Sequence, residues 1–315
     1  MRRREVITLL SGAVVSRTLL ADAQQGERVR RIGVLMGYAE TDLAAQAQVA
    51  AFRQELQKLG WDEGRNISID VRFPGANADR VRDNLRELVN LTPDLLVSNT
   101  DLVTAIVRAE VNTIPIVFIS VGDAVGSGYV NNEARPDGNL TGFANWDSSI
   151  SGKWLELLKQ VAPDVERVGF VMQPEIPSLK VKLVPLNVRD ADEIERSLAA
   201  FTAEGNGGLI VSPNAVTFSN RDVIVTLAAR LRLPAIYAFA FYPKSGGLIS
   251  YGFDPVNHFQ HGAEYVDRIL RGAKPADLPV QYPTKFQLVV NLKIAKALGL
   301  AIPESFLLRT DEVIE

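Results

Sequence analysis

The chain has 315 residues, of which 47% are hydrophobic and 23% charged, so its length suits two domains and its composition a globular protein. A formal net charge of -3 gives no sign of a nucleic-acid-binding surface, and we expect no nucleic-acid partner. The sequence has no cysteine, which excludes disulfides, thiolate metal sites, a cysteine nucleophile and a lipid anchor on cysteine.

Residues 1–23 have the pattern of a signal peptide. Arginines at positions 2–4 precede an apolar stretch, and Ala-Asp-Ala at 21–23 supplies small residues for cleavage after Ala23. The adjacent arginines are weak evidence for the twin-arginine export route, and Arg17 within the apolar stretch argues against an uncleaved membrane anchor. We therefore expect a periplasmic protein; the alternative is a basic helix on a cytoplasmic one.

Strand-like and helix-like segments alternate along the first half of the chain. "RRIGVLM" at 30–36 is an apolar run of strand length, and apolar residues at helical spacing follow it up to Gly60. Strands alternating with helices predict a parallel sheet with helices on both faces. The further strands predicted in this half lie at 66–73, 94–99, 115–120 and 139–143.

The second half repeats this order without a residue-level repeat. Together the two halves predict an α/β protein with two doubly wound lobes and a cleft between them. Strands are predicted at 167–172, 181–188, 207–213, 234–239 and 247–252, helices near 190–203, 219–230 and 255–271, then a strand at 286–291 and a short helix ending at Leu298.

One connection in the second half is short. The first half has room for a helix between Met36 and Ile67, whereas only residues 173–180 separate the matching strands of the second half. A parallel crossover normally needs a dozen residues or more, so either a bare return loop or an antiparallel hairpin is expected. Without a crossover helix, the apolar side chains of Val181 and Leu183 should be exposed.

Ligands bind open parallel sheets beyond the carboxyl ends of the strands, and this rule selects residues 37–40, 98–100, 122–123, 172–173, 212–214 and 239–241. Aromatic side chains there provide flat apolar walls, polar ones provide hydrogen bonds, and carboxylates receive an ammonium group. The competing interpretation is that the aromatic side chains only pack and the polar ones cap helices. The candidates are Tyr38 and Phe241 as walls, Asn99, Thr100 and Asn214 as hydrogen-bonding groups, and Asp123, Asp147 and Asp254 as acids.

No catalytic motif is evident, so we expect no enzyme activity. The chain has neither a G-x-S-x-G nucleophile elbow nor a P-loop, and the glycine-rich stretch at 122–128 is more typical of a mobile loop than of a phosphate cradle. The only histidines, His258 and His261, lie one turn apart on a predicted helix and lack a third ligand. We interpret both as surface residues and expect no metal and no cofactor.

Long segments of the chain resemble the substrate-binding proteins of ABC transporters, in the tryptophan/tyrosine-type family. The resemblance covers nearly the whole chain and is most specific at 246–300, from "GGLISYGFDPVNHF" to "KFQLVVNLKIAKALGL". It implies the type I periplasmic binding-protein fold, in which two Rossmann-like lobes joined by a hinge close on a ligand. It also implies aromatic amino acids as ligands, inner-membrane ABC permease subunits as partners, and a monomer.

The resemblance also implies where the lobes, hinge and pocket lie. The lobes would comprise 28–145 plus 253–282 and 146–252 plus 283–311, with the hinge near 144–147, 251–254 and 282–286. Relatives have a helix after the strand that matches "VGFVM", whereas here "QPEI" continues straight into "PSLKVKLVP". By motif position, the pocket segments are those around Tyr38, Asn99-Thr100, Asp123, Asp147, Asn214, Phe241 and Asp254.

Three functional hypotheses follow. The leading one is a periplasmic binding protein that delivers a small solute, an aromatic amino acid or similar, to an ABC permease. The second is that the short connection at 173–180 leaves a truncated, binding-impaired family member that acts as a sensor or interaction protein. The third, an α/β transferase, rests on the fold class alone.

Overall fold

A computed structural model describes residues 28–145, 149–171 and 181–315. The strands in these residues form two separate sheets, which confirms the predicted α/β architecture with two parallel-sheet lobes. The candidate Asp147 and the short connection at 173–180 lie outside the described residues.

Five parallel strands form the first sheet, in the order β2-β1-β3-β4-β5. Strands of this sheet that have neighbours on both sides are continuous apolar runs, because helices cover both of their faces. The strands are β1 (Arg30–Leu35), β2 (Ile67–Arg72), β3 (Leu95–Asn99), β4 (Ile116–Val121) and β5 (Leu140–Ala144), and the helices between them are α1 (Leu43–Lys58), α2 (Ala78–Asn90) and α3 (Asp101–Glu110).

Seven strands form the second sheet, in the order β12-β11-β10-β9-β8-β6-β7. All neighbours pair in parallel except β10 and β11, which are antiparallel. The strands are β6 (Arg167–Val171), β7 (Lys182–Leu186), β8 (Gly207–Val211), β9 (Ala235–Tyr237), β10 (Ile249–Gly252), β11 (Gln287–Asn291) and β12 (Glu312–Ile314). The helices of this half are α4 (Ser149–Val161), α5 (Ala191–Thr202), α6 (Ala215–Ser219), α7 (Arg221–Arg230), α8 (Phe241–Lys244), α9 (Pro255–Leu270), α10 (Leu292–Leu298) and α11 (Glu304–Leu307).

The chain crosses between the sheets more than once. Helix α4 follows the first sheet but packs on β8 and β9 of the second. Helix α9 follows β10 of the second sheet but packs on α1, β4 and β5 of the first. The segment after α9 then returns to the second sheet as β11. Such repeated crossings place a cleft between the carboxyl ends of the two sheets.

Some predicted element boundaries near the second sheet are wrong. The helix predicted at 219–230 is α7, which begins two residues later, and the short helix α6 before it, capped by Asn214, was not predicted. The strand predicted at 234–239 stops at Tyr237, and the chain then turns into the short helix α8. Strand β12 and helix α11 have no counterpart in the sequence-based elements.

The strands on either side of the short connection are parallel, so the hairpin alternative is wrong. Arg167 of β6 lies opposite Lys182 of β7, and the register is even along the pair. Only residues 172–181 join the two strands, fewer than a parallel crossover normally takes. Leu183 of this edge strand is 36% exposed, as predicted, whereas Val181 is half-buried and packs against the core.

We expect Leu183→Lys to change the free energy of unfolding by less than about 0.5 kcal/mol, because the side chain is already partly in solvent. The matched control is Leu186→Lys in the same strand, where the leucine is 6% exposed and an unpaired buried charge should cost several-fold more. Urea unfolding of the two variants measures both values. Equal losses would mean that Leu183 is covered in solution.

Candidate functional site

The backbone at the carboxyl ends of β3 and β4 is strained. Thr100 and Ser120 have φ angles of 74° and 62°, which non-glycine residues rarely adopt. The register of β4 against β5 also shifts between Ile119 and Val121, as at a β-bulge. Residues held in such conformations cost about 1–3 kcal/mol each and concentrate at ligand sites, so this edge of the first sheet is the candidate site.

Asn99 connects three strand ends beneath this edge. Its Oδ1 accepts a hydrogen bond from the Gly37 amide at 3.3 Å, and its Nδ2 donates to the Ile119 carbonyl at 3.2 Å. The side chain is completely buried. A Cβ on Gly37 would lie 2.2 Å from Thr100 Oγ1, so only glycine allows the loop after β1 to pass so close to β3. Asn99 therefore holds the strand ends of the site together and does not line an open surface.

Tyr38 is the first-sheet member of an aromatic cluster that spans the cleft. Its ring stacks on Phe218 of α6 with 4.0 Å between ring centroids, and both rings are buried. Burial raises the pKa of Tyr38, whose hydroxyl also hydrogen-bonds to the Asn99 side chain. The phenol is therefore uncharged at physiological pH. The aromatic cluster consists of Tyr38, Phe218, Phe239, Phe241 and Phe253.

Two candidates from the second half of the chain, Phe241 and Asn214, lie at the aromatic cluster. Phe241, at the start of α8, contacts Phe218 and Phe239 with centroid distances of 5.3 and 5.4 Å. Asn214 caps α6, since its Oδ1 accepts from the Thr217 amide at 2.9 Å. This cap fixes the helix that carries Phe218 against Tyr38. Four candidates thus meet around one cluster: Tyr38, Asn99, Asn214 and Phe241.

The two described acid candidates bind their own backbone. Asp123 is exposed, and its Oδ1 accepts from the amides of Val125 and Gly126 at 3.0 and 2.8 Å. Asp254 is also exposed and caps α9 by accepting from the Val256 amide at 2.9 Å. It lines a cavity of about 710 Å³ between α9 and residues 281–287. The structure does not bring these two carboxylates into the aromatic cluster.

Asp101 is an acid that the sequence-based selection missed. It is the first residue of α3, directly after Asn99 and Thr100, and accepts from the Gly122 amide at 3.1 and 3.2 Å. The Tyr129 hydroxyl donates to its backbone carbonyl at 2.9 Å. Burial raises the pKa of Asp101, and the bonds from Gly122 and Tyr129 oppose that rise. The same strand-end rule, extended by one residue, would have selected it.

Two buried polar atoms at this edge have no hydrogen-bond partner in the part of the chain that is described. They are Thr100 Oγ1 and Asn145 Oδ1, and their residues are 4% and 3% exposed. Asn145 directly follows β5, so it too fits the strand-end rule but was not selected. Unsatisfied buried polar groups are costly, and a polar solute in the cleft would satisfy them.

The interpretation of both histidines as surface residues is wrong for His258. Its ring lies between Phe143 and Phe253, with centroid distances of 5.7 and 4.4 Å, and it is 3% exposed. The reason is that α9 packs on α1 and on the sheet, which buries more than one helix face. Burial lowers the pKa of His258 to about 3, and His261 adds to the effect.

Among residues 28–145, 149–171 and 181–315, no group of three or more His, Cys, Asp and Glu side chains is placed to hold a metal ion. No helix in those ranges has the length and apolar character of a membrane span.

Three comparisons place this geometry among known proteins. A curated "Tyrosine-binding protein" of Clostridioides difficile is 19% identical over 95% of this chain and 94% of its own length. The solved ABC domain in complex with L-Trp from Streptococcus pneumonia has a TM-score of 0.81 at 22% identity, over 90% of this chain and 99% of that one. The ligand-free, open structure of a substrate binding protein with adhesive properties from Clostridium difficile has a TM-score of 0.65 at 23% identity, over 91% and 99%.

The family model covers most of the chain. The model described as "ABC transporter substrate binding protein" matches residues 39–314, which include both sheets from β2 onward, the aromatic cluster except Tyr38, and both described acid candidates. The transferase hypothesis is therefore set aside, because this family is one of solute-binding proteins and not of enzymes. The chain belongs to the ABC transporter substrate-binding proteins.

Proposed function

We propose that this chain is the periplasmic substrate-binding component of an ABC importer and that it binds an aromatic amino acid or a similar solute between its lobes. The aromatic cluster carries the proposal, because Tyr38 of the first lobe stacks on Phe218, and Phe218 is in contact with further rings of the second lobe and the hinge. Flat apolar walls of this kind favour a planar apolar side chain through stacking and edge-to-face contacts.

Polar groups beside the cluster suit the other end of an amino acid. Thr100 Oγ1 and Asn145 Oδ1 have no partner within the described chain. The Thr100 hydroxyl can donate to the solute's carboxylate, and Asn145 Oδ1 can accept from its ammonium group. The Asp101 carboxylate lies at the same edge and would attract the ammonium. Asp123, Asp147 and Asp254 remain proposed as additional acids. Two relatives support this ligand class: one is named for tyrosine and the other was solved with L-Trp.

The delivery role rests on the family and on lobe closure. We propose that the lobes comprise 28–145 plus 253–282 and 146–252 plus 283–311, and that they close about a hinge near 144–147, 251–254 and 282–286. The closed form would be recognised by permease subunits in the inner membrane. Residues 1–23 would act as the signal peptide, cleaved after Ala23, and the chain would work as a monomer without a cofactor.

Thermal unfolding tests the ligand class. With residues 1–23 removed, L-tryptophan, L-tyrosine or L-phenylalanine should raise the melting temperature at millimolar concentration, since a ligand at 100 times its Kd stabilises by about 2.7 kcal/mol. L-glutamate and D-ribose serve as controls and should leave it unchanged. No shift with any of the three aromatic amino acids would refute the proposed ligand class.

A second candidate function keeps its own supporting observation. The short connection between β6 and β7 and the exposed Leu183 fit a truncated family member that no longer transports and acts as a sensor or interaction protein. Micromolar affinity of the unaltered chain for an aromatic amino acid would argue against this candidate. Recovery of affinity only after a helix is inserted between Val171 and Val181 would support it.

A further inference from the structure

Asp42 and Arg221, here called the interlobe pair, are bonded across the cleft. Asp42 lies in the first lobe between β1 and α1, and Arg221 begins α7 in the second lobe. The guanidinium Nη1 donates to the Asp42 carboxylate Oδ2, and the two side chains are only 20% and 9% exposed. Among the described residues, no other ion pair joins the first sheet's lobe to the second's.

Each member of the interlobe pair is held rigidly within its own lobe. The second oxygen of Asp42, Oδ1, caps α1 by accepting from the amides of Ala44 and Ala45 at 2.9 and 3.1 Å. Arg221 Nη1 also donates to the Phe218 carbonyl at 3.1 Å. Because both groups are preorganised, little side-chain entropy is lost when the lobes meet, unlike in a typical surface ion pair.

The interlobe pair borders the aromatic cluster directly. The Arg221 guanidinium carbon lies 5.4 Å from the centroid of Phe218 and 5.8 Å from that of Phe241, within cation–π range of both rings. Phe218 in turn stacks on Tyr38, four residues before Asp42. The ring stack and the ion pair are therefore adjacent parts of one contact between the two lobes.

We propose that Asp42 and Arg221 are positioning residues for the solute site: they set its affinity by stabilising the closed form, without touching the solute. Apparent affinity scales with the fraction of molecules in the binding-competent form. A pair that forms only on closure raises that fraction and therefore raises the apparent affinity. This affinity role rests on the proposed function. The effect on the lobes themselves does not, and it is measurable without any ligand.

Small-angle X-ray scattering of the ligand-free protein provides the first test. Asp42→Asn removes the charge but keeps the helix cap, because asparagine caps helices as well as aspartate does. We expect this variant and Arg221→Gln to have a larger radius of gyration than the wild type. The matched control is Arg230→Gln, on the same helix α7, which breaks an exposed ion pair with Glu195 inside one lobe and should scatter as the wild type does.

Dissociation kinetics provide the second test, with L-tryptophan as the probe. Each single variant should raise the dissociation rate constant about tenfold with little change in the association rate constant. The double variant Asp42→Asn/Arg221→Gln should be no worse than either single one, since the two residues act as one pair. Because the interlobe pair is mostly buried, the difference from the wild type should change little as salt rises from about 0.05 to 0.5 M.

Two results would overturn the proposal. One is wild-type scattering for both Asp42→Asn and Arg221→Gln, whatever happens to affinity, because the interlobe pair would then not hold the lobes together. The other is an equal increase in the radius of gyration of the control variant Arg230→Gln. If no aromatic amino acid binds, the proposed function fails, yet the ligand-free scattering still decides whether the interlobe pair holds the lobes closed.

Discussion

Gly252→Ala is expected to lower the free energy of unfolding by about 3 kcal/mol or more and to weaken solute binding with it. Gly252 ends β10, directly before Phe253 of the aromatic cluster. A Cβ there would lie 1.7 Å from the Ala238 carbonyl oxygen and 2.8 Å from its carbonyl carbon. Both are backbone atoms, so β10 would have to move away from the end of β9 and take Phe253 with it.

The matched control is Gly152→Ala in helix α4. No atom lies within 4 Å of the position its Cβ would take, and alanine favours a helix interior over glycine by about 1 kcal/mol. The same substitution should therefore stabilise the protein at Gly152 and destabilise it at Gly252. Urea unfolding measures both variants. Changes of the same sign at the two positions would contradict the packing described for β10.

His258→Leu should remove much of the protein's sensitivity to acid. The unfolded chain binds a proton on this residue below its ordinary pKa near 6.5, whereas burial holds the folded pKa at about 3. The stability contributed by the neutral, buried ring is therefore fully present above pH 6.5 and lost as the pH falls towards 3. At pH 5 the loss amounts to about 2 kcal/mol, at about 1.4 kcal/mol per pH unit.

Urea unfolding of the wild type and His258→Leu at pH 7 and pH 5 measures this loss. The wild type should lose about 2 kcal/mol more than the variant over that interval. His261→Leu is the control, because it removes an exposed imidazole from the same helix and leaves the buried one in place. Parallel losses in the wild type and His258→Leu would show that His258 is not buried as a neutral ring.

The sheet architecture was predictable because it depends on local periodicity. Buried parallel strands such as β1 and β4 are short apolar runs, and the edge strand β2 alternates, as its half-buried pattern requires. The strand-end rule likewise found Asn99, which ends β3, and Tyr38, which lies in the loop after β1. It missed Asp101, which lies one residue beyond the selected set at 98–100, and Asn145, because no residues were selected after β5.

Other parts of the site depend on tertiary contacts that no local pattern contains. Phe218 lies inside α6, past the strand end, and becomes a cleft residue only because the cap at Asn214 turns that helix towards Tyr38. Arg221 pairs with a carboxylate 179 positions earlier in the chain, a separation that no local pattern covers. The burial of His258 was missed for the same reason, because α9 packs on α1, β4 and β5, which are distant in the sequence.

The most direct test of the interlobe binding site is isothermal titration calorimetry of L-tryptophan into Phe218→Ala and Phe306→Ala. Both phenylalanines are 1% exposed in the second lobe, so each change should cost similar stability, but only Phe218 belongs to the aromatic cluster. If the cleft binds the solute, the wild type and Phe306→Ala should bind alike and Phe218→Ala about 30-fold more weakly. Equal affinity in all three proteins, or no binding to the wild type, would contradict it.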